Sequence, residues 1–138
     1  MPESRPKRTR LSTRARRDLD TQVAFLEGLT RRDPEFAEAL QVLGDAYSAL
    51  GRGADSLAVD ERLSRLRPED PSVHYHLACS YGATGQLDAA VQALDRALDL
   101  GFRDFRSLSD DPNLSDVRSH PAFARIRARI RRLDSCEP

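Results

Sequence analysis

Two histidines and a cysteine lie within six positions in the stretch VHYHLACSYGATGQLDAA, residues 73–90. Imidazole and thiolate groups are ligands that zinc prefers, so this stretch first suggests a metal site. On a helix, however, His74 and His76 point about 160° apart, because each residue turns about 100°. His76 and Cys79 would be neighbours, but two ligands do not complete a site of the usual four. We therefore predict that the stretch binds no metal.

The other candidates for chemistry are weaker. Asp110 and Asp111 form a carboxylate pair, but Pro112 follows at once, which is typical of a turn that ends a helix. The sequence has no phosphate-cradling loop, its one lysine is Lys7, and no GxSxG elbow occurs. We predict that the protein is not an enzyme and needs no cofactor, and that Cys136 is an incidental thiol.

Charge is unevenly distributed, although the net charge is zero. Residues 1–17 hold seven basic side chains and one acidic, residues 18–117 hold nine and nineteen, and residues 118–138 hold six and two. Basic ends beside an acidic middle can fold back onto it or pair with a second copy. For the tail, residues 1–17, three interpretations stay open: a disordered solvated tail, association with the acidic middle, or binding to nucleic acid or anionic lipid. Its lack of aromatic residues disfavours the last.

Nothing in the sequence directs the chain to a membrane or to secretion. No apolar run approaches the roughly 18 residues of a membrane span. The amino terminus has no apolar segment after its charges, and two cysteines make no disulfide framework. The expected location is the cytoplasm.

When the sequence is aligned with itself at an offset of 34 residues, identical residues coincide at several positions. The coincident pairs include Pro34 with Pro68, Leu43 with Leu77, Tyr47 with Tyr81, and Gly51 with Gly85. Four coincidences at one offset indicate a repeated unit, and repeats of this length stack to bury apolar faces that one unit cannot bury alone.

Each repeat is predicted to be a helical hairpin. In the first, a stripe spaced by three and four residues runs from Leu40 to Leu50, and Gly51 ends that helix in the left-handed conformation. In the second, Asp70 and Pro71 start a helix that Gly85 closes. The apolar stripes are Leu40, Leu43, Tyr47 and Leu50, then Leu57, Leu63 and Leu66, then Val73, Leu77 and Tyr81, and last Leu87, Ala90, Val91, Leu94, Ala97 and Leu98, before Gly101.

The pattern resembles the tetratricopeptide repeat, and the resemblance covers about residues 18–102. The matching positions are Leu43, Gly44, Tyr47, Gly51 and Pro68 in one repeat, and Leu77, Tyr81, Gly85, Ala90 and Ala97 in the next, with Ala78 replacing the small glycine. The first repeat departs from the family at Ser56, where alanine is preferred, and at Asp60 and Leu63. The resemblance implies an all-α solenoid of helical hairpins.

The predicted organisation is a basic disordered tail, residues 1–17, and one helical domain, residues 18–138. The domain divides into a half repeat, 18–33, two repeats, 34–68 and 69–102, and a closing segment, 103–138. In the closing segment Phe123, Ile126 and Ile130 share a helical face that we expect to dock on the preceding hairpin, with arginines facing outward.

The resemblance also implies a concave surface that binds partners. Its positions correspond to Glu38, Gln41, Asp45, Ser72, Tyr75, His76 and Cys79. Because this surface would be acidic at one end and aromatic at the other, we expect a protein or peptide partner with a basic segment and an apolar anchor, for which the tail is one candidate. The implied function is that of a protein-interaction adaptor or scaffold. The alternative is a nucleic-acid or membrane-surface accessory protein that acts through its basic ends.

Overall fold

The computed structural model describes residues 11–136, and every regular element in that range is helical. The residues form two compact units, one ending at Arg67 and the other beginning at Pro68. This division lies within one residue of the predicted boundary between the two repeats, 34–68 and 69–102.

The first unit contains three helices: α1, Thr13–Arg32, α2, Ala37–Ala49, and α3, Gly53–Leu66. Helix α2 packs against both of the others. Its apolar stripe is buried as predicted, with Leu40 fully enclosed and Leu43 nearly so. Ser56 of α3, where the repeat family prefers alanine, is also buried, and its hydroxyl donates to the carbonyl of Gly44 at 3.3 Å. This hydrogen bond satisfies the serine inside the hairpin.

Helix α1 begins earlier than the sequence analysis expects. Ser12 caps it by accepting a hydrogen bond from the amide of Ala15 at 3.0 Å. Residues 13–17, which the sequence analysis assigns to the basic tail, are therefore helical, while residues 1–10 of the tail lie outside the described range. The physical reason is local, since serine is a favoured N-cap and the alanine and arginines that follow are good helix formers.

The second unit begins with the hairpin of α4, Pro71–Ala83, and α5, Leu87–Asp99. As predicted, Asp70 caps α4 by accepting from the amide of Ser72 at 2.9 Å, and Pro71 takes the first helical position. Leu77 is buried, whereas Tyr81, expected in the core, is only half-buried. Ala78, Ala90 and Ala97 are fully buried, because small side chains let the two helices approach closely.

The turns of both hairpins use the same hydrogen bond. Gly51 and Gly85 have φ of 75° and 78°, a left-handed conformation that glycine adopts without a steric penalty. The amide of Arg52 then donates to the carbonyl of Tyr47 at 2.8 Å, and Gln86 donates to Tyr81 at 2.9 Å. These bonds satisfy carbonyls at the helix end and reverse the chain at the same point of each repeat.

The closing segment follows in short helices: α6, Phe105–Asp110, a 3-10 turn, Pro112–Leu114, α7, Ser115–Arg118, and α8, Phe123–Cys136. Its apolar side chains pack on the α4–α5 hairpin of the same chain. Leu108, Leu114, Val117 and Ile126 are completely enclosed and Phe123 nearly so, while Ile130 is half-buried.

Ion pairs also join α8 to α5, which corrects the expectation that the arginines of α8 all face outward. Arg125 and Arg129 both pair with Asp95, the latter at 3.0 Å, and Arg129 pairs with Asp99 at 2.9 Å. Part of the basic carboxyl-terminal end thus folds back onto the acidic middle.

Candidate functional site

The stretch with two histidines and a cysteine forms part of α4, and its side chains diverge. The Nε2 atom of His74 lies 2.8 Å from the carbonyl of Pro68, while His76 lies edge-on to the ring of Tyr75. Cys79 is buried, which corrects the expectation that it lies on an open surface. Within residues 11–136, no cluster of three or more histidine, cysteine or carboxylate side chains could hold a metal ion.

One side of α4 is covered by residues 111–114, the closing turn. We call the covered side the α4 face and define it by Tyr75, His76, Cys79 and Gly82. The hydroxyl of Tyr75 donates to the Oδ2 atom of Asp111 at 2.7 Å, and its ring stacks on Phe102 with centroids 4.5 Å apart. Tyr75 is 7% and Cys79 8% exposed. Two of the predicted partner-binding residues are therefore covered within the chain.

Gly82 allows the closing turn to approach this closely. A Cβ atom at this position would lie 2.5 Å from the carbonyl oxygen of Asn113 and 3.0 Å from the Cγ2 atom of Val117. Backbone cannot yield as a flexible side chain can, so any larger residue would push the closing turn away. Gly82 was not among the predicted site residues, although a glycine inside a helix is a signal, because it usually has a packing reason.

Asp111 connects the closing turn to the α4 face. One carboxylate oxygen accepts from the amide of Asn113 at 2.9 Å and the other accepts from Tyr75 and lies 3.5 Å from the Sγ atom of Cys79. Burial, with smaller contributions from Cys79 and Asp111, raises the pKa of Tyr75, so its hydroxyl stays a donor at neutral pH. The Asp110–Asp111 pair thus forms the helix-ending turn that the sequence indicated.

Among the described residues, none covers the equivalent side of α2 in this way. A shift of 34 residues maps the α4 face onto Gln41, Val42, Asp45 and Ser48, the α2 face. All four are exposed, and Val42, at 42%, is one of the few large apolar side chains that are. Glu38 lies one turn earlier and pairs with Arg67 at 3.2 Å. The three predicted site residues of this repeat, Glu38, Gln41 and Asp45, therefore lie together on an accessible surface.

The opposite side of α2 borders a cleft of about 410 Å³ between α1 and α3. Within it the hydroxyl of Tyr47 donates to Glu27, and the guanidinium of Arg52 lies 4.6 Å from the centre of the Tyr47 ring. Arg52 also pairs with Asp55 at 2.9 Å. Burial, and then the bond to Glu27, raises the pKa of Tyr47 to about 12. These contacts hold three helices together, and sequence reasoning did not anticipate them.

The other two predicted residues of α4 are less enclosed than Tyr75 and Cys79. Ser72 is exposed at the start of the helix and His76 is half-buried. The seven predicted positions therefore separate into an exposed set on α2 and a largely covered set on α4.

Comparison with known proteins identifies the second repeat. A sequence model of the tetratricopeptide repeat matches residues 71–100, which are α4, its glycine turn and α5. Residues 71–100 are therefore a tetratricopeptide repeat. Repeats of this family generally mediate contacts between proteins, and proteins built from them are typically scaffolds without catalytic activity.

One relative is a protein of Arabidopsis thaliana whose name describes it as chloroplastic, and it is 32% identical over 100 residues. The alignment covers 70% of this chain but only 28% of the relative. Because the relative is named as a chloroplast protein, the cytoplasmic location of this chain stays a prediction. Among the described residues, no helix is long and apolar enough to cross a membrane.

Proposed function

We propose that this tetratricopeptide-repeat protein is a non-enzymatic interaction module whose recognition surface is the α2 face together with Glu38. The observation that carries the proposal is the contrast between the two repeats. The α4 face is filled by the closing turn of the same chain, whereas the equivalent α2 face presents its side chains to solvent.

The covered face shows how a bound segment meets the first helix of a repeat in this protein. There Tyr75 and Cys79, four residues apart, approach a single carboxylate of the closing turn. On α2 the equivalent positions are Gln41 and Asp45. A carboxylate in the bound segment would face Asp45 with like charge, but a lysine or arginine would pair with it.

The same comparison supplies the second feature of the partner. Val42 replaces His76, and an exposed apolar side chain between Gln41 and Asp45 favours an apolar contact beside the ion pair. The partner is therefore a protein segment with a basic residue and an apolar or aromatic anchor. Ser48 replaces Gly82, so the close backbone approach seen on α4 is not available to it.

The test is fluorescence anisotropy with labelled arginine-rich peptides, with and without one phenylalanine. Asp45→Lys should weaken binding of the phenylalanine-containing peptide by about tenfold, because an attractive charge becomes repulsive. Asp20→Lys is the matched control, since Asp20 is also exposed and lies on α1. Equal affinities for the wild type and both variants would contradict the proposed face.

The chain's own basic residues 1–10 are a competing occupant in this proposal. A tethered segment has an effective concentration in the millimolar range, so its removal should strengthen binding of an added peptide. The deletion must spare Ser12, because this residue caps α1. If the chain lacking residues 1–10 binds the peptide no better than the full chain does, residues 1–10 do not occupy the α2 face. That result would leave the α2 face as the proposed recognition surface for a partner.

A further inference from the structure

Helix α1 exposes positions that the equivalent helix of the next hairpin buries. A shift of 34 residues places Gln22 on Ser56 and Leu29 on Leu63. Ser56 and Leu63 are each 4% exposed, because α3 packs on α2 along this side. Gln22 is exposed and Leu29 half-buried, since the described residues contain no helix before α1 that could pack there. This side of α1 has the register of a helix-packing surface without a packed helix.

These positions belong to a longer stripe, the α1 seam. Its members recur every three or four residues and are Ala15, Asp18, Gln22, Phe25, Leu29 and Arg32. Phe25, near its middle, is 64% exposed, the most of any large apolar side chain that the structure describes. Spacing of this kind is typical of a helix that packs lengthwise against a second helix.

The α1 seam carries a negative charge near one end and a positive charge near the other, so two copies of it can be complementary. Asp18 and Arg32 lie seven residues before and after Phe25, which places each about 10.5 Å from it along the helix. If two copies of α1 pack antiparallel with their Phe25 rings at the centre, Asp18 of each copy lies level with Arg32 of the other. A parallel pair would instead set like charges together at both ends.

We propose that α1 pairs with α1 of a second copy, antiparallel and centred on Phe25. The two phenylalanine rings cover each other, Gln22 and Leu29 flank them, and two Asp18–Arg32 ion pairs fix the register. A contact between single helices is smaller than most stable interfaces, so the dimer should form only as the protein concentration rises. This surface is separate from the α2 face.

The test is sedimentation velocity over a concentration series with Asp18→Arg and Arg32→Asp. Each variant alone brings like charges together at both ends of the pair, and should weaken association by about tenfold or more. An equimolar mixture of the two variants restores opposite charges at both ends, so it should associate as the wild type does. Recovery on mixing cannot come from a merely structural effect of either substitution.

Two controls complete the experiment. Asp20→Arg makes the same charge change on an exposed side of α1 that faces away from the α1 seam, and should associate as the wild type does. Phe25→Asp should abolish association and leave the melting temperature nearly unchanged, because Phe25 is not part of the core. The proposal is overturned if the wild type stays monomeric throughout, if Phe25→Asp still dimerises, or if the mixture associates no better than either variant alone.

Discussion

The α2 face and the α4 face occupy the same position in successive repeats, yet one is open and the other is closed. The difference lies in four side chains: Gln41, Val42, Asp45 and Ser48 on α2 correspond to Tyr75, His76, Cys79 and Gly82 on α4. The α4 residues supply a hydroxyl donor and a gap for backbone, which together hold the closing turn, and a ring that stacks on Phe102. The repeat framework thus specifies the helices, and a few surface residues decide what each face binds.

The largest expected effect comes from removing the apolar residue that secures the closing turn. Leu114 is completely enclosed, so Leu114→Ala should lower the free energy of unfolding by about 2–5 kcal/mol. Val42→Ala on the α2 face removes an exposed side chain and should change the free energy of unfolding by less than about 0.5 kcal/mol. Urea denaturation followed by circular dichroism measures both. Similar values for the two variants would mean that the closing turn does not cover α4 in solution.

Gly82→Ala tests the same contact, because whether it raises or lowers the stability depends on whether the closing turn covers α4. In a helix without a covering segment, alanine would stabilise by about 1 kcal/mol relative to glycine. Against the closing turn, the added methyl group meets the backbone of Asn113, and the variant should lose about 1–3 kcal/mol instead. Ser48→Ala at the equivalent open position should be nearly neutral. Thermal melts that show Gly82→Ala to be stabilised would contradict the covered face.

The smallest expected effect is that of the hydrogen bond between Tyr75 and Asp111. Tyr75→Phe should cost about 1 kcal/mol at neutral pH, since one buried donor is lost. The pKa of Tyr75 is raised above its ordinary value of 10.0, so the stabilisation is present below pH 10 and is lost as the pH rises further. The wild type should therefore lose more stability between pH 9 and pH 11 than Tyr75→Phe does. Parallel pH profiles for the two proteins would show that this hydroxyl is not buried against Asp111.

Much of the fold could be predicted because the signals are local. The spacing of Leu40, Leu43 and Tyr47, the glycines at 51 and 85, and the Asp70–Pro71 start each act within a few residues. Ser12 is an equally local signal for the start of a helix. The density of arginines around it favours a disordered tail, however, and residues 1–17 were predicted to be disordered for that reason. On this local evidence the family and the all-α hairpins were predicted correctly.

The candidate site was predicted only in part, because its state depends on contacts between residues far apart in the chain. Tyr75 and Asp111 are separated by 36 positions, and nothing near either residue indicates that they meet. The repeat register grouped Glu38, Gln41 and Asp45 on one side of α2, where all three are exposed. It could not show that Cys79, at the same register position as Asp45, would be enclosed.

The sequence by itself determined the repeats, the helix ends and the residues of each helix that face the same way, since these follow from periodicity and from the conformations of glycine and proline. Only the tertiary structure decided which of two equivalent faces stays open, that Arg125 and Arg129 pair with α5, and that Phe25 of the α1 seam is exposed. The physical reason is that helix formation depends on neighbours in sequence. Coverage of a face depends on whether a distant segment packs against it, and on α4 the missing side chain of Gly82 gives the closing turn room to do so.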